Sequence, residues 1–140
     1  MGIYVHVPFC RSKCFYCGFY SVASLTLKEA YLEAVEREIV LRRGYLPRQE
    51  MKTLYFGGGT PSYLEHGDLE RIIRKLEENY LFATGMERTI ELNPEDLVPG
   101  KLQGIKDLGF NRLSIGVQSF SDEQLKRINR THSARQAMDG

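Results

Sequence analysis

The sequence predicts an α/β fold in which helices cover the outer face of a parallel β-sheet. Short runs of β-branched and aromatic residues alternate along the chain with segments whose apolar residues recur at helical spacing. The 140 residues hold four such strand–helix units. An eight-unit barrel takes about 250 residues, or roughly 30 for each unit. We therefore expect about half of a (β/α) barrel.

The predicted strands are short apolar runs, and each ends at a residue that favours a turn. They comprise residues 3–7 before Pro8, residues 52–56 before three glycines, residues 89–92 before Asn93-Pro94, and residues 112–117 before Gln118.

The predicted helices begin at capping signals or follow an apolar stripe. The first begins at a capping box of Thr26 and Glu29 and ends near Gly44, with Pro47 just beyond. The second and third are marked by apolar residues, and Gly109 closes the third. These apolar residues are Leu69, Ile72, Ile73, Leu76 and Tyr80, then Leu102, Ile105 and Leu108. The fourth begins at a capping box of Ser121 and Gln124.

The end of the chain predicts that this half barrel continues. Ser133 and Gln136 form a new helix start shortly before Gly140. A parallel sheet that ended here would leave a strand edge unpaired, which proteins normally avoid. We therefore expect residues 1–140 to be the N-terminal part of a core domain. Its remaining strands, together with a C-terminal domain, would lie outside this chain.

Charge and hydropathy exclude several classes of protein. The 19 basic and 18 acidic residues give a net charge of +1, so no surface for nucleic acid or an acidic membrane is expected. No apolar run approaches the ~20 residues of a transmembrane segment. Residues 1–6 do not form a basic region followed by a long apolar stretch, the pattern that a secretion signal would show. The sequence thus predicts a soluble cytoplasmic protein.

All three cysteines, Cys10, Cys14 and Cys17, lie within eight residues. An odd number at this density does not suit a disulfide framework, whereas clustered thiolates are soft ligands for iron–sulfur clusters, zinc or Cu(I). Structural zinc needs a fourth ligand, for which His6 and His66 are the candidates. Three thiolates on a [4Fe–4S] cluster instead leave one iron open. We favour the cluster over zinc, and over three unrelated buried thiols.

The most unusual segments of the sequence all follow predicted strands. The cysteines follow the first strand, and three glycines with Thr60 and Pro61 follow the second. Glu91 and Asn93 close the third strand, and Gln118 closes the fourth. Because the carboxyl ends of parallel strands meet at one edge of a sheet, these segments are predicted to form one site.

The glycine run, residues 57–59, matches neither of the common phosphate-binding patterns. Glycines let backbone N–H and C=O groups approach a ligand closely, which would suit the amino and carboxylate groups of a molecule such as methionine. A tight turn with positive φ is the alternative, and it would explain two of the three glycines.

Several polar side chains near this site have plainer explanations. Glu91 is placed to point into the barrel mouth, but a helix cap or a surface carboxylate fits equally well. Gln118 and Arg130 are also compatible with the surface. His132 is predicted to be a loop residue, and His6 a hydrogen-bonded residue of the core or rim.

Six motifs occur in order and span nearly the whole chain. They are Tyr4-Val5-His6-Val7-Pro8-Phe9-Cys10, Cys14, Tyr16-Cys17, Gly57-Gly58-Gly59-Thr60-Pro61-Ser62, Glu91-Leu92-Asn93-Pro94 and Ser114-Ile115-Gly116-Val117-Gln118-Ser119-Phe120. In this order they resemble the radical SAM superfamily. Within it, the chain is similar to the oxygen-independent coproporphyrinogen III oxidase-like branch, and most of all to the HemW-type heme chaperone.

The resemblance implies a partial (β/α)6, TIM-like barrel that holds a [4Fe–4S] cluster, with S-adenosylmethionine on the fourth iron. In the family, one electron from the cluster cleaves this cofactor to methionine and a 5′-deoxyadenosyl radical, which abstracts hydrogen. By position, Cys10, Cys14 and Cys17 would be the cluster ligands. The residues that would serve S-adenosylmethionine are Tyr4, Tyr16, Gly58, Gly59, Thr60, Glu91, Gln118 and Arg130.

Two functions occur in this branch: a dehydrogenase that decarboxylates coproporphyrinogen III in heme synthesis, and a chaperone that binds and transfers heme. Phe19 stands where the dehydrogenase has a further cysteine, and Tyr4 lies near the start, where the dehydrogenase has a long extension. Residues 17–21 and 130–132 are also more similar to the chaperone. Gly18 departs from the chaperone pattern, which commonly has aspartate there.

The resemblance therefore favours a heme chaperone, with the dehydrogenase as the alternative. It implies heme or a porphyrin as a further ligand. The expected partners are an unidentified heme acceptor and an electron donor.

Overall fold

The computed structural model describes residues 1–46 and 49–140. Its strands are β1 (Gly2–Val7), β2 (Met51–Gly58), β3 (Phe82–Leu92) and β4 (Arg112–Ile115). They form one parallel sheet in the order β1-β2-β3-β4. The helices are α1 (Lys28–Leu41), α2 (His66–Asn79), α3 (Pro99–Asp107), α4 (Asp122–Arg127) and α5 (Ala134–Asp139). The predicted parallel α/β fold is confirmed.

The hydrophobic core lies between one face of the sheet and helices α1, α2 and α3. Alternate strand residues, such as Val5, Phe56 and Ile90, point to this face and are buried. Helix α2 covers them because its apolar residues, including Leu69 and Ile73, recur on one side. Within the described residues, no helix is long and apolar enough to span a membrane.

The other face of the sheet carries polar and aromatic side chains. In the strand register, Tyr4 of β1 lies beside Tyr55 of β2, and Glu91 of β3 lies beside Ser114 of β4. The Tyr4 and Tyr55 rings stack with their centroids 5.9 Å apart. This face therefore presents functional groups where the first face presents the core.

Several strand boundaries differ from the prediction. β1 and β2 each begin one residue earlier, and β2 continues to Gly58, two residues past its predicted end. β3 begins at Phe82 rather than Thr89, because Gly85 adopts a φ of +72° that permits an irregularity in a strand. Met51 pairs with Phe82 but Thr53 pairs with Glu87, so β3 carries extra residues there. β4 ends at Ile115 rather than Val117, whose N–H donates to the Ile115 carbonyl in a tight turn.

The helix starts agree with the prediction only in part. Helix α5 has the predicted capping box, in which Ser133 and Gln136 bond to each other's backbone N–H. At α4, Ser121 accepts from the Gln124 N–H, but the Gln124 side chain bonds to Ser119 instead.

The predicted box at α1 is wrong. The Thr26 hydroxyl bonds to Ser24, the carboxylate of Glu29 pairs with Arg71, and the helix begins at Lys28. This helix ends at Leu41, before the predicted Gly44, and Pro47 lies outside the described residues.

Candidate functional site

A cavity of about 330 Å³ lies at the carboxyl ends of the strands. Two segments contribute most to it: the cysteine loop (residues 10–21) and the glycine turn (residues 57–60). Of the eleven residues predicted for the site, ten line this cavity. They are Cys10, Cys14, Tyr16, Cys17, Gly58, Gly59, Thr60, Glu91, Gln118 and Arg130. The structure therefore brings residues from all four strand–helix units together.

Tyr4 is the predicted site residue that does not line the cavity. Its hydroxyl lies 3.2 Å from Nδ1 of His6, and its ring stacks on Tyr55. Nε2 of His6 in turn donates to the carbonyl of Tyr20 in the cysteine loop. Tyr4 thus contacts the site through other residues.

The cysteine loop is held to the fold at its start and near its middle. The Cys10 N–H donates to the Val22 carbonyl, and the Phe15 N–H donates to the Ile128 carbonyl. The Asn129 side chain donates to the Lys13 carbonyl at 2.8 Å. The loop therefore depends on residues more than 100 positions away for its shape.

The three cysteines are free and partly buried. Among the residues that the structure describes, no three Cys, His, Asp or Glu side chains converge on a point that would hold a single metal ion. A [4Fe–4S] cluster does not need such a point, because each thiolate binds a different iron. No histidine lines the cavity, and both ring nitrogens of His6 already have partners. The thiols therefore suit a cluster better than a zinc site with three cysteines and one histidine.

Two hydrogen-bond donors approach the cysteine sulfurs. The Thr60 hydroxyl lies 3.7 Å from the Sγ atom of Cys10. Nη1 of Arg130 lies 3.7 Å from the Sγ atom of Cys14. Donors at this position stabilise thiolate, the form that binds iron.

The glycine turn packs against β1 and the start of the cysteine loop. The N–H groups of Gly59 and Thr60 donate to the carbonyls of Val7 and Phe9, both at 2.7 Å. A Cβ atom on Gly59 would lie 2.6 Å from the Phe9 oxygen. Close packing against protein backbone therefore explains this glycine.

Gly58 is the one member of the run with positive φ, at +110°. The alternative explanation, a tight turn in which two of the three glycines have positive φ, is therefore wrong, because only Gly58 does. The Gly58 N–H donates to Glu91, so the N–H groups of Gly58, Gly59 and Thr60 are all engaged within the protein. The Thr60 carbonyl also accepts from the Tyr63 N–H, so the groups that the turn could still offer a ligand are its other carbonyl oxygens. A carbonyl oxygen accepts from an ammonium group.

Glu91 is the acidic residue of the cavity. One carboxylate oxygen accepts from the Tyr55 hydroxyl at 2.7 Å, and the other accepts from the Gly58 N–H at 3.0 Å. Burial, followed by the bond to Glu91, raises the pKa of Tyr55, which therefore stays a donor at neutral pH. These two bonds aim the carboxylate at the glycine turn and exclude a surface role.

Arg130 is the basic residue of the cavity. Nη2 donates to the Asn93 side chain at 2.9 Å and to the Gly116 carbonyl, while its buried Nε has no partner among the described residues. Asn93 also donates weakly to Thr60 at 3.4 Å. The sequence predicted that Asn93 would lie at the site with Glu91 but assigned it no cofactor role; in the structure it links Arg130 to Thr60.

Gln118 lies in the turn after β4 with a φ of 65°, a conformation that residues other than glycine seldom adopt. His132 holds this turn, because its Nε2 donates to the Val117 carbonyl at 3.1 Å. His132 lies in the loop before α5, as the sequence predicted, and its side chain is buried.

The sequence profile described as the Radical SAM superfamily matches residues 4–140. The chain belongs to the radical SAM superfamily. This membership implies a [4Fe–4S] cluster and S-adenosylmethionine, and the residues present fit both groups. Three thiols line one cavity, which also carries a carboxylate and a guanidinium for a zwitterionic ligand.

Two kinds of curated radical SAM relatives are similar to this chain. It is 37% identical over 132 residues to the oxygen-independent coproporphyrinogen III oxidase of Escherichia coli. This alignment covers 93% of this chain and 29% of the relative. It is 42% identical over 139 residues to the heme chaperone HemW of Synechocystis. This second alignment covers 94% of this chain and 33% of the relative. The chain thus spans about a third of the length of these relatives.

Solved structures agree with this relationship. The structure of coproporphyrinogen III oxidase (HemN) from Escherichia coli, described as a radical SAM enzyme, matches with a TM-score of 0.87 and 34% identity. The match covers 99% of this chain and 34% of that chain. OxsB, solved with aqua-cobalamin and S-adenosylmethionine, matches with a TM-score of 0.55 at 17% identity, and thus supports the fold alone.

Proposed function

We propose that this chain is the N-terminal part of the core domain of a heme chaperone, and that it holds the cluster and S-adenosylmethionine. Cys10, Cys14 and Cys17 would be the three cluster ligands. When bound, the cluster supplies the electron that cleaves S-adenosylmethionine. The protein residues themselves bind and orient the cofactor.

The charges in the cavity support a site for S-adenosylmethionine. Glu91 and the glycine-turn carbonyls favour its ammonium group, because both are hydrogen-bond acceptors. Arg130 favours its carboxylate, because a guanidinium presents several donors in one plane. Tyr16 and Gln118 line the same cavity and would complete its wall.

The identity and position of Phe19 favour the chaperone role over the dehydrogenase role. It stands where the dehydrogenase has a further cysteine, and its ring lines the cavity while remaining 65% exposed. Phe15 and Tyr20 of the same loop are also exposed. An aromatic rim of this kind suits a flat, apolar porphyrin better than it suits redox chemistry at an additional thiol.

Coproporphyrinogen oxidation is the second candidate, because the oxidase from Escherichia coli shares the fold with a TM-score of 0.87. The two candidates differ in a direct assay. The protein is reconstituted anaerobically and divided between a heme titration followed by absorbance and an incubation with coproporphyrinogen III, S-adenosylmethionine and a reductant.

We expect saturable heme binding and no protoporphyrinogen. Formation of protoporphyrinogen would establish the dehydrogenase instead. Cys14→Ser serves as the cluster control, since it removes one of the three thiolates and should abolish iron and sulfide uptake. Full cluster content in this variant would contradict the ligand assignment.

A further inference from the structure

Asp96 is a buried carboxylate that does not line the cavity and that the proposed chemistry does not use. It ends the short turn after β3, and its side chain is 2% exposed. Oδ1 accepts from Arg11 at 2.8 Å and from Lys101 at 2.7 Å, and Oδ2 accepts from Ser62 at 2.6 Å. Both carboxylate oxygens are therefore satisfied.

The partners of Asp96 belong to different segments of the fold. Arg11 follows Cys10 directly and lies in the cysteine loop. Ser62 lies in the turn Pro61–Tyr63, which directly follows the glycine turn. Lys101 lies on α3, away from the cavity. One carboxylate thus joins the cysteine loop to the glycine turn and both of them to the scaffold.

Arg11 has a second contact that reinforces this link. Its guanidinium lies 4.7 Å from the centre of the Tyr63 ring, in the same turn as Ser62. Arg11 is therefore held between the Asp96 carboxylate and the Tyr63 ring, a fixed position for a residue next to a predicted cluster ligand.

The ionised state of Asp96 is maintained by its partners. Burial acts to raise the pKa of Asp96, but the bonds from Lys101, Ser62 and Arg11 outweigh it and lower that pKa. A charged carboxylate is thus available to Arg11 throughout the neutral range.

We propose that Asp96 and Arg11 form a positioning pair that fixes the cysteine loop relative to the glycine turn, and thereby the cluster relative to S-adenosylmethionine. This inference rests on the proposed cluster and cofactor site. Asp96 touches neither group. It acts through Arg11 on the loop that carries Cys10, and through Ser62 on the turn that directly follows Gly59 and Thr60.

Arg11→Ala and Lys101→Ala provide a matched comparison. Each removes one cationic partner from the same oxygen of Asp96, but only Arg11 belongs to the cysteine loop. Both variants and the unmodified protein are reconstituted anaerobically. We measure the rate of cluster loss to an iron chelator and the change that S-adenosylmethionine produces in the electron paramagnetic resonance spectrum of the reduced cluster.

We expect Arg11→Ala to lose its cluster about tenfold faster, the scale on which residues that orient metal ligands act. Its spectral response to S-adenosylmethionine should also weaken. Lys101→Ala should match the unmodified protein in both measurements. In an Asp96→Asn background, Arg11→Ala should cause little additional change.

Equal behaviour of Arg11→Ala and Lys101→Ala would overturn the positioning role, since a structural ion pair alone would affect both alike. If the unmodified protein took up no cluster, the proposed function would fail, and this inference with it. A cluster with a normal spectral response in the unmodified protein, but no difference between the two variants, would overturn the inference alone.

Discussion

His132 has a fully buried side chain beside the turn that carries Gln118. Burial lowers the pKa of His132, the neighbouring Arg130 charge lowers it further, and the Val117 carbonyl and Glu95 carboxylate oppose this shift. The neutral ring thus donates from Nε2 to Val117, while Nδ1 has no hydrogen-bond partner among the described residues.

The lowered pKa predicts that acidification destabilises the protein through His132. The unfolded chain binds a proton near the ordinary histidine pKa of about 6.5, whereas the folded ring binds one only at lower pH. The free energy of unfolding should therefore decrease as pH falls from about 7 through 6. Urea unfolding at a series of pH values measures this slope.

His132→Gln is the comparison variant, because its amide can still donate to the Val117 carbonyl but does not titrate. Its slope in the same pH range should be smaller than that of the unmodified protein, and the histidines shared by both proteins cancel in the difference. Equal slopes would show that His132 is not the group responsible.

The sequence predicted that the site residues would meet at one end of the sheet, because strand ends and clustered ligand types are visible in a linear chain, and ten of the eleven line one cavity. Asp96 was not visible in this way. Its importance arises from Arg11 and Lys101, which approach it from the cysteine loop and α3. Such a network depends on tertiary contact, and no spacing in the sequence encodes it.

At the scale of elements, the glycine turn is the connection with the strongest backbone requirement. Gly58 has positive φ, and a Cβ atom there would lie 2.5 Å from the His6 ring. Gly67, near the start of α2, has no neighbour within 4 Å of such a Cβ. The same substitution should therefore have opposite effects at the two positions.

We expect Gly58→Ala to reduce the free energy of unfolding by about 1–3 kcal/mol, because alanine is disfavoured at this φ and collides with His6. Gly67→Ala should increase it by about 0.5–1 kcal/mol, because alanine favours a helix. Chemical denaturation of both variants measures the difference. A neutral Gly58→Ala would contradict the backbone geometry of the turn.

The elements themselves were predictable wherever one apolar period dominates, as in α2. The boundaries of the strands and helices were harder to predict. The sequence between Phe82 and Arg88 contains Gly85 and charged residues, which concealed the first half of β3. Thr26 and Glu29 have the spacing of a capping box, but each finds a different partner in the fold, Ser24 and Arg71.

For the whole molecule, the structure separates a rigid scaffold from a site built on loops. Strand β2 is paired with β1 on one side and β3 on the other, and its Leu54 and Phe56 are buried. The cysteine loop has few backbone hydrogen bonds, and Phe15 and Phe19 expose most of their surface. Local stability should therefore be high in the sheet and low at the rim.

This contrast predicts a localised response to cofactor binding in hydrogen–deuterium exchange. Apart from the hydrogen-bonded N–H groups of Cys10, Phe15 and Cys17, amides in residues 10–21 should exchange rapidly in the metal-free protein. They should slow markedly with cluster and S-adenosylmethionine, because ligation of three cysteines restricts the loop. Amides of β2 should exchange slowly in both states. Cys14→Ser, treated identically, should gain no protection in the loop. A loop already protected without metal, or a β2 response as large as that of the loop, would mean that the site is rigid before binding and that the cofactors add little order to it.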